Sequence, residues 1–271
     1  MAATKKVSKF RALHQTGAPF TIPNPWDAGS ARILEGLGFK ALATTSSGFA
    51  LTKGRHDYDV TRKEALSHCH DIAAAVDIPV TADLENGFGP KPKNAAKTVR
   101  RAAATGICGG SIEDAPGDDD KPIYELSLAV ERIAAAAEAA QKSDDGFVLT
   151  ARAEAYLHGK GDLNAVIARL QAFDEAGADV LYAPGLPDID AVRAVCTSVS
   201  KPVNVLIYGG LAQHDVKEFA QAGAARLSVG GALAWSAYGT LVDAASMLNE
   251  GGFASLSANR KGAKEVGRWL K

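Results

Sequence analysis

The chain has 271 residues, of which 46% are hydrophobic, and a formal net charge of -1. This charge balance gives no reason to expect a nucleic-acid partner or an anionic membrane surface, and no apolar run approaches the roughly 20 residues of a membrane-spanning helix. The cysteines Cys69, Cys108 and Cys196 have no metal-binding spacing, and the basic segment 1–11 lacks the apolar part of a secretion signal. We therefore expect a cytoplasmic protein.

Strand and helix patterns alternate along the chain. Short apolar, β-branched runs predict strands at 20–24, 40–45, 78–82, 109–114, 146–152, 179–183, 202–207 and 225–229. Helical spacing predicts helices at 7–14, 62–76, 94–105, 124–141, 163–176, 189–199, 214–222 and 233–248, with one more capped by Asp27 or Ser30 and a short one towards Trp269. Three segments, beginning at Ala104, Glu175 and Gln221, repeat a helix end, a glycine and a strand start.

Eight strands that alternate with helices predict a parallel sheet. At this chain length, eight strands favour an α/β fold of the closed (β/α)8 TIM-barrel type, which typically has about 250 residues. The competing architecture is an open doubly wound sheet, but no G-x-G-x-x-G motif follows the first strand. We expect residues 1–271 to form one barrel domain with a C-terminal helical extension.

Carboxylates collect where the predicted strands end, which is where barrel enzymes carry their chemistry. Asp83 and Glu85 follow the third strand, Glu113 ends the fourth, and Asp57 lies after the second. Like charges at one barrel mouth would not all ionise without a cation. Oxygen ligands favour Mg2+ over zinc, because no suitable His or Cys cluster is present. Arg152 offers a positive fork for an anionic substrate.

Each of these features also has a simpler interpretation. The segment 83–89 could be an acidic, glycine-rich turn, the pair 113–114 could begin a helix, and Arg152 with Glu154 could be a structural ion pair. The glycine pairs 209–210 and 230–231 could hold a phosphate, although glycine is common where loops begin. His56 and His158 are typical of solvated loops, and the tyrosines and tryptophans are typical of packing.

Five motifs in order resemble the isocitrate lyase and phosphoenolpyruvate mutase superfamily. They are Asn24-Pro-Trp-Asp-Ala-Gly-Ser-Ala31, Thr45-Ser-Ser-Gly-Phe-Ala50 with Gly54-x-x-Asp57, Asp83-Leu-Glu-Asn-Gly-Phe-Gly89, Ser111-Ile-Glu-Asp114 and Ala151-Arg-Ala-Glu-Ala155. The resemblance implies Mg2+-dependent chemistry on 2-oxo acids. It also implies a barrel whose last helix is exchanged between subunits of a homodimer or homotetramer.

The resemblance also implies roles for single residues. Asp83 would bind the metal directly, while Asp57, Glu85 and Glu113 would hold its water shell. Arg152 would polarise the substrate, and Arg152, Asp57 and Glu113 would be the catalytic residues. The substrate would contact seven residues: Trp26, Asp27, Ser46, Ser47, Gly48, Arg152 and Glu154.

Two departures from the family pattern limit what the resemblance implies. The usual Asp-x-Asp is Asp83-x-Glu85 here, which still suits a water-mediated contact. The segment 115–124, where isocitrate and methylisocitrate lyases carry a catalytic cysteine loop, has no cysteine, which disfavours those two activities. The gating loop of the phosphonate enzymes is not reproduced either, although Lys121 could act in a lid. Tyr156, His158 and Lys121 are candidate proton donors.

The leading hypothesis is a Mg2+-dependent lyase that breaks a carbon–carbon bond in a small 2-oxo or 2-hydroxy acid, oxaloacetate-like or methylisocitrate-like, through an enolate stabilised by Mg2+ and Arg152. The alternatives are carbon–phosphorus chemistry of the phosphoenolpyruvate mutase or phosphonopyruvate hydrolase type, and a non-catalytic barrel that binds a metabolite.

Overall fold

Eight parallel strands form the barrel predicted from the sequence. A computed structural model describes residues 3–270, apart from the side chains of residue 3 and residues 257–261; residues 1, 2 and 271, which the single-domain prediction includes, lie outside this range. The strands are β1 Phe20–Ile22, β2 Leu42–Ala43, β3 Val80–Asp83, β4 Gly109–Glu113, β5 Val148–Arg152, β6 Val180–Tyr182, β7 Val203–Leu206 and β8 Arg226–Ser228. Their order is β1-β8-β7-β6-β5-β4-β3-β2.

A backbone hydrogen bond joins the two ends of this sheet. The Ala43 N–H donates to the carbonyl of Pro23 over 3.1 Å, next to the end of β1. The side-chain amide of Asn24 also donates to the Thr44 carbonyl over 3.2 Å. These bonds bring β1 and β2 together, so the sheet is a nearly closed barrel and the open doubly wound alternative is wrong.

Helices follow the strands around the outside of the barrel. They are α1 Ala3–Leu13, α2 Ala28–Gly36, α3 Ser46–Thr52, α4 Arg62–Ala75, α5 Pro92–Ala103, α6 Leu126–Gln141, α7 Leu163–Glu175, α8 Ile189–Ser198, α9 Val216–Gln221, α10 Ala232–Asn249 and α11 Asn259–Gly267. Two 3-10 turns, Gly209–Gln213 and Ala254–Ala258, lie between them. Within residues 3–270 no helix is long and apolar enough to cross a bilayer.

The observed elements differ from the predicted ones mainly at their ends. Most strands are shorter than predicted, because the apolar pattern continues past the last paired residue. No helix begins at residues 113–114, where the sequence left that alternative open; Glu113 ends β4 and α6 starts only at Leu126. Asp27 does cap α2, since its carboxylate accepts from the Ser30 N–H over 2.6 Å.

Most side chains of the long helix α10 are exposed to solvent in the single chain. Of its described side chains, Ala234 is the buried one. Trp235, Leu241 and Val242 are 57%, 59% and 62% exposed. Several exposed large apolar side chains on one helix are typical of a protein interface.

Candidate active site

Asp83 lies at the carboxyl end of β3, where three groups approach its carboxylate. The Ser46 hydroxyl donates to Oδ2 over 3.0 Å, and the Glu85 N–H donates to Oδ1 over 3.2 Å. Arg152 Nη1 lies 3.4 Å from Oδ2. Strands β2, β3 and β5 therefore meet at one carboxylate.

Arg152, at the end of β5, connects the acidic residues. Its Nη1 lies 3.3 Å from Oε2 of Glu113, and its Nε donates to Glu154. Its guanidinium also lies over the Tyr182 ring, 5.2 Å from the centroid. Burial lowers the pKa of Arg152, but Glu154 and Glu113 outweigh that effect and hold the pKa well above its usual range. The guanidinium is therefore a permanent positive charge in a fixed orientation.

Three carboxyl groups near Arg152 have raised pKa values, which favours their protonated forms. Burial, together with Asp83 and Asp57, raises the pKa of Glu85 to about 9. Burial, together with Asp83, also raises the pKa of Asp57, and burial raises that of Glu113 well above its usual value. One guanidinium is thus insufficient to compensate these carboxylates, which is the electrostatic condition under which a cation binds.

The donor set fits a hard cation that is held mostly through water. Oε1 of Glu85 is buried without a hydrogen-bond partner, and Glu85 has φ +48°, a left-handed conformation that is uncommon outside glycine. Among residues 3–270 no three His, Cys, Asp or Glu side chains form a direct metal site. One direct carboxylate ligand with further carboxylates bound through water is the arrangement that Mg2+ commonly adopts.

Ser46 and Ser47 lie at the start of α3. They line a cavity at the mouth of the barrel, together with Asp83 and Arg152. Thr45 caps this helix, because its hydroxyl accepts from the Gly48 N–H over 3.3 Å. Gly48 itself does not line the cavity; a Cβ there would lie 2.6 Å from Cγ2 of Thr45. The structure thus places the two serines on the cavity wall, whereas Gly48 packs against Thr45 outside it.

The cavity has a volume of about 170 Å3 and extends from the barrel mouth into its interior. Asp57, Asp83 and Arg152 line it together with the serines. Glu113 and Glu154 are buried behind Arg152, with 3% and 1% of their surfaces exposed. They can therefore act on a ligand only through Arg152 or through water.

Trp26 and Asp27, which were predicted to bind substrate, do not line this cavity. They line a separate surface pocket with Phe49 and His68. The Asp27 carboxylate caps α2, and the Trp26 carbonyl accepts from His68 Nε2 over 3.0 Å. The Asn24–Ala31 motif is therefore explained in part by helix capping, which is a structural role.

The loop 115–124 does not line the cavity, but it contacts Asp114, Asn86 and Tyr58 beside the site. The Tyr124 N–H donates to the Asp114 carbonyl over 2.8 Å, and Asn86 donates to the Pro116 carbonyl over 3.2 Å. Its central part, 117–121, is exposed, and Lys121 lies there. Of the other candidate proton donors, Tyr156 is half-buried and His158 Nε2 lies 3.7 Å from Glu154.

Four residues of the site were not predicted from the sequence. The Tyr58 hydroxyl donates to Glu113 beside the loop 115–124, and Tyr58 itself has φ +68°. Tyr182, Asn204 and Arg226 line the inner part of the cavity. The sequence feature that could have identified such residues is a polar residue inside an apolar strand pattern, as in Val203-Asn204-Val205.

The arginine, the carboxylate cluster and the two serines lie at the carboxyl ends of parallel strands, which is where barrel enzymes carry their active sites. The family model described as phosphoenolpyruvate phosphomutase matches residues 10–249. The chain belongs to this family of enzymes, within the phosphoenolpyruvate mutase/isocitrate lyase superfamily. The superfamily expected from the five motifs is therefore confirmed.

Proteins similar to this chain are named for different reactions. The 2-methylisocitrate lyase of Escherichia coli (strain K12) is 30% identical over 74% of this chain and 70% of its own length. A crystal structure from Burkholderia cenocepacia J2315, provisionally assigned as a lyase/mutase, is 49% identical, with a TM-score of 0.91 over 98% of this chain and 96% of that one. A phosphonopyruvate hydrolase bound to oxalate and Mg2+ has a TM-score of 0.84 over 97% and 95% of the two chains, at 23% identity.

Proposed function

We propose that this protein is a Mg2+-dependent lyase that cleaves a carbon–carbon bond in a small 2-oxo or 2-hydroxy acid, oxaloacetate-like or methylisocitrate-like. The observation that carries the proposal is the contact of Arg152 with Asp83, Glu113 and Glu154 beside a 170 Å3 cavity. This places a fixed positive charge beside a carboxylate suited to a metal. The name of the Escherichia coli relative supports the choice of a carbon–carbon bond.

Asp83 would hold Mg2+ directly, with Asp57, Glu85 and Glu113 bound to its waters. When bound, the ion would supply positive charge where an enolate oxygen develops. The unpartnered Oε1 of Glu85 supports this assignment, because a buried oxygen without a donor is costly unless a water or ion completes it.

Arg152 would stabilise the same developing charge. Its guanidinium is held from behind by Glu113 and Glu154, so it needs little rearrangement when charge appears on the substrate. Ser46 and Ser47 would bind the substrate carboxylate at the start of α3, where hydroxyls and N–H groups favour an anion. The electron pair of the broken bond would thus move onto an enolate oxygen beside two positive groups, while the substrate carboxylate is held near the end of β2.

Carbon–phosphorus chemistry is the second candidate. It is supported by the family model, whose description is a phosphomutase, and by the overall likeness to a phosphonopyruvate hydrolase fold. The absence of a cysteine in 115–124 also removes the proton donor expected for a methylisocitrate lyase. A phosphonate substrate would need the same Arg152 and the same metal, so the site alone favours neither bond over the other.

Turnover of a substrate panel separates the two candidates. Purified protein is incubated with oxaloacetate, methylisocitrate or phosphonopyruvate, with Mg2+ or with excess chelator. Carbon–carbon cleavage releases a smaller acid and no phosphate, whereas phosphonopyruvate hydrolysis releases inorganic phosphate. Cleavage of an organic acid that needs Mg2+ supports the proposal; phosphate release alone would replace it with the second candidate, and binding without turnover would oppose both.

We also propose that the protein is a homodimer or homotetramer in which a second copy covers α10 by exchange of this helix. The 18-residue helix exposes Trp235, Leu241 and Val242 in the single chain. A hydrophobic surface of this length is stable in water when another subunit buries it.

A further inference from the structure

The barrel interior contains a second arginine, Arg226, which has no acidic partner among the described residues. It is the first residue of β8 and is 4% exposed. Its Nε donates to Oδ1 of Asn204 over 2.8 Å and Nη2 to the Thr150 hydroxyl over 3.2 Å, while Nη1 lies 3.2 Å from Nε2 of His14. All three partners can be neutral. Three of the five N–H groups of a guanidinium are engaged in this way, which leaves two.

The charge of Arg226 is uncompensated within the described chain. None of the ion pairs among residues 3–270 includes it. His14 supplies no negative charge, and its pKa is lowered to about 3 by burial and by Arg226. Burial lowers the pKa of Arg226 to about 10, so it remains protonated at neutral pH. A buried charge without a counter-ion is costly, and an anion in contact would remove most of that cost.

Arg226 is connected to the proposed catalytic centre by strand register. Arg152 pairs with Tyr182, Tyr182 with Asn204, and Asn204 with Arg226, across β5, β6, β7 and β8. The four residues form one row along the barrel wall, with an arginine at each end. All four line the same cavity, together with Thr150 and Ser228. A ligand in this cavity is therefore exposed to two positive groups from different strands.

Most of the interior partners of Arg226 are hydrogen-bonding side chains. Barrel interiors are commonly filled by branched apolar residues, but here Asn204, Thr150 and Ser228 occupy the positions around the guanidinium. The Asn204 amide also donates to the Ser228 hydroxyl over 3.0 Å. This polar lining fits a bound carboxylate better than an apolar group, because each oxygen of a carboxylate needs a donor.

We infer that Arg226 forms a second anion-binding subsite, which selects substrates with a distal carboxylate. The inference rests on the proposed function, in which Arg152 and the α3 serines hold the reacting end of the acid. The second carboxylate of a dicarboxylate bound at that end would be directed along the row towards Arg226. A monocarboxylate of the same length would leave the buried charge uncompensated, so the enzyme discriminates against it.

Calorimetric titrations with three ligands in the presence of Mg2+ test this inference. Oxalate is short and occupies the reacting end alone; 2-oxobutyrate has four carbons and one carboxylate; 3,3-difluorooxaloacetate has four carbons and two. The wild-type protein should bind the dicarboxylate more tightly than 2-oxobutyrate by roughly 10- to 100-fold, the range for a charge-assisted hydrogen-bonded pair. In Arg226→Gln this ratio should fall to about one, while oxalate affinity stays within about twofold.

Two further variants keep the outcome interpretable. Arg226→Lys retains the charge with a less suitable geometry, so it should keep part of the preference and can be measured if the glutamine variant does not fold. Arg11→Gln removes an exposed arginine outside the cavity and should leave the ratio unchanged. A ratio that persists in the Arg226 variants, or an equal loss of affinity for all three ligands, would overturn the inference. If the wild-type protein did not bind oxalate in a Mg2+-dependent way, the proposed function itself would be refuted.

Discussion

Arg152 Nη1 lies 3.4 Å from the Asp83 carboxylate, and this contact joins the end of β5 to the end of β3 across β4. The intervening strand contributes Glu113, which lies 3.3 Å from the same nitrogen. Three adjacent strands thus present one positive and two acidic groups to a common point. The proposed stabilisation of an enolate depends on this arrangement.

Arg152→Lys should reduce kcat by roughly 100- to 1000-fold, the typical cost of losing one oriented donor to a developing oxyanion. A lysine keeps the charge but cannot contact Asp83, Glu113 and Glu154 with a planar fork. Steady-state kinetics on the substrate found in the panel would measure the loss. Arg193→Lys, which changes an exposed arginine on α8, serves as a control; equal kinetics for both variants would remove Arg152 from the mechanism.

Ser46→Ala should raise KM about tenfold and weaken Mg2+-dependent ligand binding. The hydroxyl donates to Asp83 over 3.0 Å and lines the cavity, so its loss affects both the metal ligand and the anion seat. Ser127→Ala in α6, outside the cavity, is a matched control. Substrate-saturation curves with both variants check the expectation, which a wild-type KM in Ser46→Ala would contradict.

His14→Gln should make stability less dependent on pH. Burial and Arg226 lower the pKa of His14 to about 3 in the folded protein, against about 6.5 for an unperturbed histidine. The unfolded chain therefore binds a proton between these values that the folded chain does not. The free energy of unfolding consequently decreases as pH falls from about 6.5 towards 3, by up to about 1.4 kcal/mol per unit.

Urea unfolding at several pH values between 4 and 7 measures this slope. The difference between wild type and His14→Gln isolates the contribution of one residue from the other titrating groups. His56→Gln, an exposed histidine in a loop, controls for the loss of a histidine in general. Parallel slopes for wild type and His14→Gln would mean that His14 is not neutral in the folded protein.

The double variant Leu241→Asp with Val242→Asp should yield a smaller species than the wild type. Both side chains are more than half exposed on α10, where a second copy is proposed to bind. Val216→Asp introduces a charge at an exposed apolar residue of α9 and should leave the assembly intact. Analytical ultracentrifugation distinguishes these outcomes, and a monomeric wild-type protein would contradict the proposed exchange.

Strand number, barrel closure and family could be predicted from the sequence. The reason is that periodicity, glycine stops and motif order are local properties, and eight repeated units leave few architectures. The convergence of Asp83 and Arg152 also followed from the rule that barrel chemistry lies at strand ends. The exact strand ends did not, because hydrogen-bond pairing depends on neighbouring strands.

The inner part of the site required the structure. Arg226 lies at the start of β8, far in sequence from Arg152, and only the register across β5 to β8 aligns the two arginines. The Tyr58 hydroxyl donates to Glu113, but Tyr58 has a left-handed backbone conformation that its residue type does not predict. Trp26 matched the family motif but lies outside the cavity, since motif identity does not determine the direction of a side chain.

Calorimetric titration of oxalate, with and without Mg2+, into wild type and Asp83→Asn measures whether Asp83 binds the metal. Oxalate mimics an enolate, and Asp83 is the proposed direct ligand of the metal. Oxalate binding by the wild type should require Mg2+, and Asp83→Asn should weaken it by at least about 100-fold, because the amide carries no charge for the cation. Equal oxalate affinity in the two proteins, or binding that is indifferent to Mg2+, would contradict the account.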